Sequence, residues 1–311
     1  MLPPLGRRRA LQSLLLAGAG WDTGARAAAP QERIDLWPGM PPDGPGPAGA
    51  QAVSASGAIT RVARPYIRVL RPDKPNGAAA LVVAGGGYVR IVAGKESTPA
   101  ARWLLSPGVT AFELVYRLPG EGWAQPLVPL QDGQRAVRLI RARAADFGVD
   151  PQRIGVLGFS AGAHLAGMTA VAPGAQRYAP VDAADTLSAR PAWAALLYPV
   201  LTLLPPGDHT RAHRALLGAR ADPARAAALS VERLVDAHTP PTFLAQAADD
   251  PVAPIANSLR MDEALRAAKV PVELHVFDHG GHGWGLGEPG TEPAAWPGLF
   301  AQWAARGGCF A

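Results

Sequence analysis

Cysteine, lysine and long apolar runs are all scarce in this chain of 311 residues. The single cysteine, Cys309, has no partner for an internal disulfide, so cysteine usage gives no information about the redox compartment. No apolar run reaches the roughly 18 residues that a membrane-spanning helix needs, so we predict no integral membrane segment. Hydrophobic residues make up 48% of the chain, which is typical of a globular protein and excludes a disordered one.

Positive charge is in excess, but it gives little evidence for an acidic partner. The formal net charge is +5, and most of this excess comes from arginines in the first 29 residues. The other arginines are scattered over predicted helices, where they usually form a solvated face. We therefore predict no nucleic-acid partner, and the sequence leaves the oligomeric state open.

Residues 1–29 have the composition of an export signal. Arg7, Arg8 and Arg9 precede a short apolar run, and small residues that suit a signal peptidase follow before Pro30. Consecutive arginines before a mild apolar run are typical of the twin-arginine route, so we predict a periplasmic or secreted protein. A disordered N-terminal tail is the alternative interpretation.

The remaining residues, 30–311, are predicted to form a single domain. Apolar strands alternate with amphipathic helices, which predicts an α/β fold with a mostly parallel sheet and helices on both faces. Residues 30–58 are rich in proline and glycine and are predicted to form an irregular arm. Pro65 suggests that the strand within residues 62–70 lies at an edge of the sheet. Residues 200–235 leave the alternating pattern and form either a lid over a site or a surface excursion with helices.

The most informative motif is Gly-Phe-Ser-Ala-Gly at residues 158–162. A short apolar strand precedes it and a helix from Ala161 to about Val171 follows, which is the arrangement of a nucleophile elbow. The glycines leave room on both sides of a serine that sits on a strained turn, so Ser160 is the predicted nucleophile. Since the chain has 35 glycines, a plain Gly/Ser turn is the alternative for the motif taken alone.

A second glycine-rich segment, Gly85-Gly86-Gly87, follows the apolar run at residues 78–83. Its backbone N–H groups are predicted to form an oxyanion hole, with Gly86 and Gly87 on one side and Ala161, the residue after the nucleophile, on the other. A phosphate-binding loop is excluded, because the segment lacks both Gly-Lys-Ser/Thr and the spacing of a dinucleotide-binding fingerprint. A flexible turn is the alternative.

An acid and a base follow the serine in the chain order expected for such a site. Asp250 comes after the strand at residues 242–246 and is followed by x-Val-x-Pro, so it is preferred to Asp249 as the acid. The other aspartate would then cap the turn. His282 is preferred to His279 as the base, because the glycines around it leave the imidazole room to move. His279 would be a surface loop residue.

Several further residues near these motifs have alternative roles. His164, four residues after Ser160, is predicted to pack within the helix rather than to act on the serine. Asp132 is predicted to be a helix cap or an ion-pair partner. Tyr88 and Trp284 flank the predicted site and are candidates for contacting substrate, with core packing as the alternative.

Collinear segments between residues 34 and 305 carry a family resemblance. They comprise Asp35-Leu36-Trp37-Pro38-Gly39, Gly85-Gly86-Gly87-Tyr88, Val115-Tyr116-Arg117-Leu118-Pro119, Pro129-Leu130-Gln131-Asp132, Gly158-Phe159-Ser160-Ala161-Gly162-Ala163-His164-Leu165, Leu197-Tyr198-Pro199-Val200, Ala247-Ala248-Asp249-Asp250 and Gly281-His282-Gly283. In these segments the chain resembles bacterial α/β-hydrolases of the acetylxylan-esterase and feruloyl-esterase-like group, which are related to hormone-sensitive-lipase-type esterases.

The resemblance implies a serine carboxylester hydrolase that works through an acyl-enzyme. It implies short acyl groups, acetyl first, on a carbohydrate such as acetylated xylan. An amidase or peptidase of the same fold and a feruloyl-type esterase are the enzymatic alternatives. A non-catalytic binding protein on the same scaffold is disfavoured, because a candidate is present for every part of the site. No metal or organic cofactor is implied.

Overall fold

A central sheet organises the protein, whose computed structural model describes residues 32–219 and 221–310. The predicted export signal at residues 1–29 lies outside these residues. The strands are β1 (Arg33–Asp35), β2 (Ala52–Val53), β3 (Ile59–Thr60), β4 (Tyr66–Leu70), β5 (Ala79–Val83), β6 (Thr110–Val115), β7 (Ile154–Phe159), β8 (Ala194–Leu197), β9 (Thr242–Ala247) and β10 (Val272–Phe277).

The α-helices follow the strands in alternation through most of the described chain. They are α1 (Ser97–Leu104), α2 (Val128–Ala142), α3 (Ala144–Phe147), α4 (Ala161–Val171), α5 (Arg211–Leu217), α6 (Pro223–Ala228), α7 (Ala256–Ala267) and α8 (Trp296–Arg306). None of the helices in the described residues is long and apolar enough to cross a membrane.

Eight strands form one sheet in the order β1-β4-β6-β5-β7-β8-β9-β10. Pairing is parallel from β6 through β10, whereas β4 pairs antiparallel with both β1 and β6. Parallel strands place their carboxyl ends at one edge of a sheet, which is where open α/β sheets bind ligands. The predicted mostly parallel sheet is therefore confirmed, and this edge is the place to look for a site.

Helices cover both faces of the sheet, as the central strand β5 demonstrates. Ala80 and Val82 enter a hydrophobic cluster with residues of α1 and α8, whereas Ala79, Leu81 and Val83 enter a second cluster with residues of α2 and α4. Successive side chains of a strand point to opposite faces, so an uninterrupted apolar run is what a strand buried on both faces requires.

The N-terminal arm at residues 30–58 contains more regular structure than predicted. Its first part forms β1, which pairs with β4 in the register Ile34 to Ile67 and makes β1, not β4, the edge of the sheet. Pro65 lies before β4 begins, so its missing N–H interrupts no strand pairing. Its carbonyl instead accepts a hydrogen bond from the Leu36 N–H at 3.0 Å. The predicted edge position of this strand was therefore wrong, whereas the arm is irregular outside β1 and β2.

A buried ion pair anchors the arm to the domain. The side chains of Arg117, after β6, and Asp132, on α2, are both fully buried, and their nearest charged atoms are 2.8 Å apart. The indole N–H of Trp37 donates to Asp132 at 3.0 Å, and the Arg117 backbone N–H donates to the other carboxylate oxygen at 2.8 Å. Asp132 thus has the ion-pair role that was one of its two predicted alternatives.

Candidate active site

Ser160 lies at the sharp turn between β7 and α4, at the carboxyl edge of the sheet. Its φ of 52° and ψ of −120° fall outside the regions that L-residues favour, so the turn is strained. A side chain at Gly158 would lie 2.5 Å from the Gly162 carbonyl oxygen, and one at Gly162 would collide with the backbone between Val83 and Ala84. The turn can form only because both flanking positions are glycine.

A chain of hydrogen bonds joins Ser160 to the two residues predicted as base and acid. The Ser160 Oγ lies 2.8 Å from His282 Nε2, and His282 Nδ1 lies 2.7 Å from Asp250 Oδ2. The Asp250 side chain is fully buried, while that of His282 is 15% exposed. The structure therefore brings together three residues that are up to 122 positions apart in sequence.

The surroundings of Asp250 orient its carboxylate toward the histidine. Its Oδ1 accepts hydrogen bonds from the backbone N–H groups of Val252 and Ala253, at 2.8 and 2.9 Å. These bonds leave Oδ2 directed at His282 Nδ1. With the carboxylate as acceptor, Nδ1 carries the proton and Nε2 is left to accept a proton from Ser160.

The neighbouring candidates Asp249 and His279 lie outside this chain of hydrogen bonds. Asp249 accepts from the backbone N–H groups of Gly280 and Gly281, at 3.0 and 2.7 Å, and these bonds lower the pKa of its carboxyl group. His279 is mostly exposed and lies 3.5 Å from Asp249. Asp249 therefore stabilises the loop that carries His282. This agrees with the alternative role in a turn that was predicted for the aspartate that is not the acid.

The glycine-rich loop after β5 borders the same cavity as Ser160. Gly86 has a φ of 121° and Gly87 a φ of 67°, conformations that favour glycine, and both residues line the cavity. Ala161 follows Ser160 as the first residue of α4, where helix N–H groups lack intrahelical partners. Within the described part of the chain, no hydrogen bond occupies the N–H groups of Gly86, Gly87 or Ala161.

Glu96 and Tyr198 form a buried network that the sequence did not reveal. Glu96 accepts the Gly85 N–H at 2.6 Å and the Tyr198 hydroxyl at 3.0 Å, and the same hydroxyl accepts the Gly285 N–H at 3.1 Å. Burial raises the pKa of the Glu96 carboxyl group, and these donors oppose that rise. The network ties the glycine-rich loop to the loop of His282, whose ring lies edge-on to Tyr198. One signal for this network was present in the sequence, because Tyr198 lies in a segment that carries the family resemblance.

His164 is buried within α4 and does not contact Ser160 through its ring. The Tyr88 hydroxyl donates to His164 Nδ1 at 2.9 Å, and His164 Nε2–H donates to the Leu229 carbonyl at 2.8 Å. Burial lowers the pKa of His164 to about 4, so its ring is neutral near pH 7. The predicted structural role of His164 agrees with this geometry.

Tyr88 and Trp284, predicted as candidates for substrate contact, are both buried and do not line the cavity. Tyr88 lies behind the glycine-rich loop, where it bonds to His164. Trp284 packs edge-on against Tyr198, with ring centroids 4.4 Å apart. The structure thus favours the packing alternative for both side chains, because both are buried and neither lines the cavity.

The cavity above Ser160 has a volume of about 520 Å³. Part of the 200–235 segment forms one of its walls, through the turn before α5 and the first turn of that helix. No group of three or more His, Cys, Asp or Glu residues in the described ranges is placed to hold a metal ion. The residues around the cavity are Gly86, Gly87, Arg90, Val92, Lys95, Glu96, Ser160, Val200, His209, Thr210, Arg211, Ala212, Arg214, Pro251, Val252, His282 and Gly283.

Comparisons with known proteins show what this chain is similar to. Relatives include an endo-1,4-β-xylanase B of Butyrivibrio fibrisolvens, 37% identical over 65% of this chain, and an acetylxylan esterase of Xylanibacter ruminicola, 29% identical over 70% of it. This chain spans only 32% and 43% of the length of those two proteins.

Solved structures give a second set of matches. An acetyl ester-xyloside bifunctional hydrolase of Caldicellulosiruptor lactoaceticus has a TM-score of 0.76 and 34% identity, with 90% of this chain and 98% of that one covered. A carboxylesterase of Lactobacillus plantarum has a TM-score of 0.65 and 26% identity, with 84% and 98% covered. The profile of the BD-FAE family matches residues 69–265, which is more than half of the chain. The chain therefore has the α/β-hydrolase fold and belongs to the BD-FAE family.

Proposed function

We propose that this protein is a serine carboxylester hydrolase that removes short acyl groups, acetyl first, from carbohydrate esters such as acetylated xylan. The observation that carries the proposal is the hydrogen-bonded chain from Ser160 through His282 to Asp250 at the base of a cavity. The acetyl and xylan parts of the proposal are supported by the names of the esterase and hydrolase relatives.

In the proposed mechanism the Ser160 Oγ attacks the ester carbonyl carbon while His282 Nε2 takes the hydroxyl proton. The alcohol leaves with that proton, and an acyl-enzyme remains on the serine. A water molecule, deprotonated by the same imidazole, then releases the acid and restores Ser160. Asp250 keeps the histidine in the required tautomer and stabilises the imidazolium that forms in each step.

The charge that develops on the carbonyl oxygen needs donors that are already in place. The N–H groups of Gly86, Gly87 and Ala161 are proposed to supply them, and α4 directs its positive N-terminal end to the same point. By analogy with deletions of such donors, each one stabilises the transition state by about 3 kcal/mol.

The acyl group of the substrate is proposed to lie beside Val200, next to the nucleophile. Val200 lines the cavity, and its backbone N–H donates to the Ser160 carbonyl at 3.2 Å, which keeps this β-branched residue close to the serine. The positively charged and open part of the cavity is then left for the alcohol side of the ester.

The first test is hydrolysis of a series of p-nitrophenyl esters from acetate to octanoate. We expect kcat/KM to be highest for acetate and to fall as the acyl chain lengthens, because the β-branched Val200 borders the proposed acyl position beside Ser160. Release of acetate from acetylated xylooligosaccharides would follow, measured against the same oligosaccharides without enzyme. Faster cleavage of a feruloyl ester than of acetate, or of an anilide than of any ester, would contradict the proposed substrate class.

A second prediction concerns Glu96, which positions the oxyanion loop through Gly85. Replacing Glu96 with alanine is expected to lower kcat for p-nitrophenyl acetate by about 10²-fold, the effect of a small displacement of catalytic groups. Glu96→Gln should recover much of the loss, because its amide oxygen can still accept the Gly85 N–H. Steady-state kinetics of both variants, with thermal unfolding followed by circular dichroism, test this. Equal kcat for Glu96→Ala and the unmodified protein would show that the loop needs no such support.

A further inference from the structure

Positively charged side chains outnumber negatively charged ones around the cavity. Arg90, Lys95, Arg211 and Arg214 all line it and all are exposed. The carboxylate that lines the cavity, Glu96, is buried and already accepts hydrogen bonds from Gly85 and Tyr198. The mouth of the cavity is therefore positively charged, although its base holds a carboxylate.

The side-chain stems of two of these residues lie directly beside the glycines of the proposed oxyanion hole. A Cβ built on Gly86 would lie 3.1 Å from Arg90 Cγ, and one built on Gly87 would lie 2.8 Å from Arg211 Cβ. Arg90 belongs to the loop after β5, whereas Arg211 is the first residue of α5, far away in sequence. Two separate segments thus place arginines next to the same pair of glycines.

Little in the described ranges neutralises these cations. Arg90, Lys95 and Arg211 take part in none of the ion pairs within 4.0 Å there, and Arg214 donates only to the His209 carbonyl, at 2.7 Å. Lys95 interacts electrostatically with the buried Glu96. Asp208, three residues before Arg211, interacts electrostatically with His213, but it does not line the cavity.

The buried arginines of the protein behave differently. Arg117 and Arg135 lie in ion pairs with Asp132, Asp182 and Asp185. Positive side chains without such partners, gathered around a concave site, focus a positive potential there.

We propose that the mouth of this cavity is a subsite for a carboxylate on the carbohydrate side of the ester, so that the preferred substrates are acylated oligosaccharides bearing uronic acid. The proposal rests on the esterase function proposed above. Guanidinium groups match the planar geometry of a carboxylate and can bind it through two parallel hydrogen bonds. Since a small acyl group occupies the space beside Ser160, the sugar is the part of the ester that extends past Arg90 and Arg211.

The test compares two acetylated oligosaccharides that differ only in whether one sugar carries a carboxylate. We expect kcat/KM of the unmodified protein to be about tenfold higher for the acidic substrate, and this preference to shrink in 0.5 M NaCl because salt screens exposed charges, with a Debye length of about 3 Å at 1 M. In the Arg90→Gln/Arg211→Gln variant the ratio of the two kcat/KM values should fall close to one. Both side chains are exposed, so the substitutions spare the core.

A matched control removes two exposed arginines that do not line the cavity, in the Arg102→Gln/Arg190→Gln variant. This control should keep the preference of the unmodified protein. Hydrolysis of both substrates at equal kcat/KM, or a preference that survives the loss of Arg90 and Arg211, would overturn the carboxylate subsite while leaving the esterase function intact. Failure to cleave either substrate or p-nitrophenyl acetate would overturn the esterase function, and the subsite with it.

Discussion

Replacing Ser160 with alanine is expected to lower kcat for p-nitrophenyl acetate by about 10⁴- to 10⁶-fold, the range seen when the nucleophile of a serine hydrolase is removed. Without its Oγ, no acyl-enzyme can form, whereas the oxyanion donors and the cavity remain. Alanine is no larger than serine, so the strained turn should still form and the unfolding temperature should change little. Steady-state rates and thermal unfolding of both proteins, measured in parallel, test the expectation.

A covalent probe separates loss of the nucleophile from loss of structure. An organophosphate such as diethyl p-nitrophenyl phosphate should add one diethylphosphoryl group to the unmodified protein and none to the Ser160→Ala variant, as measured by intact mass. Ser106→Ala is a matched control, because this exposed serine lies away from the cavity and should be labelled and active as before. Substantial turnover by Ser160→Ala would show that the nucleophile has been assigned wrongly.

The largest expected effect on stability comes from Asp132→Ala. This substitution leaves the fully buried Arg117 guanidinium without its carboxylate and also removes the acceptor of the Trp37 indole N–H. Breaking a buried ion pair by removing one partner typically lowers the free energy of unfolding by about 3–5 kcal/mol. Urea denaturation followed by tryptophan fluorescence would measure the change in midpoint and slope.

An exposed ion pair provides the comparison for that experiment. Asp146 lies 2.9 Å from Arg143, and 56% of its side chain is exposed. Exposed pairs contribute little to stability, so Asp146→Ala should leave the denaturation midpoint nearly unchanged. If Asp132→Ala were equally mild, the Arg117–Asp132 pair would not be what holds the N-terminal arm in place.

The parts of the molecule that were predicted well are those set by short-range patterns. The apolar runs that became β5 and β7, and the helix from Ala161 to Val171, are recognisable because strand and helix periodicity act over a few residues. The elbow at Ser160 is equally local, since the glycines on each side are required by contacts with the adjacent turn and strand.

The sequence was least informative where the outcome depended on a distant partner. Pro65 suggested an edge strand, but whether β4 is an edge depends on the arm folding back through β1. Tyr88 and Trp284 are close in sequence to the predicted site, yet both are buried against other aromatic side chains in the folded protein. Glu96 gave no signal of its own, because its role depends on Gly85, Tyr198 and Gly285 meeting around it.

The sequence by itself determined the fold class, the strained serine turn and the order of the candidate serine, acid and histidine, since these follow from local periodicity and from the space that glycine leaves. The predicted export signal at residues 1–29 stays a prediction. Only the tertiary structure decided that His282, rather than His279, lies within hydrogen-bond reach of Ser160, and that Asp250, rather than Asp249, bonds to His282. It also decided that arginines from two distant segments meet at the cavity mouth. The physical reason is that hydrogen bonds act within about 3 Å, so neighbours in sequence become distinguishable only once the loops at the sheet edge are folded.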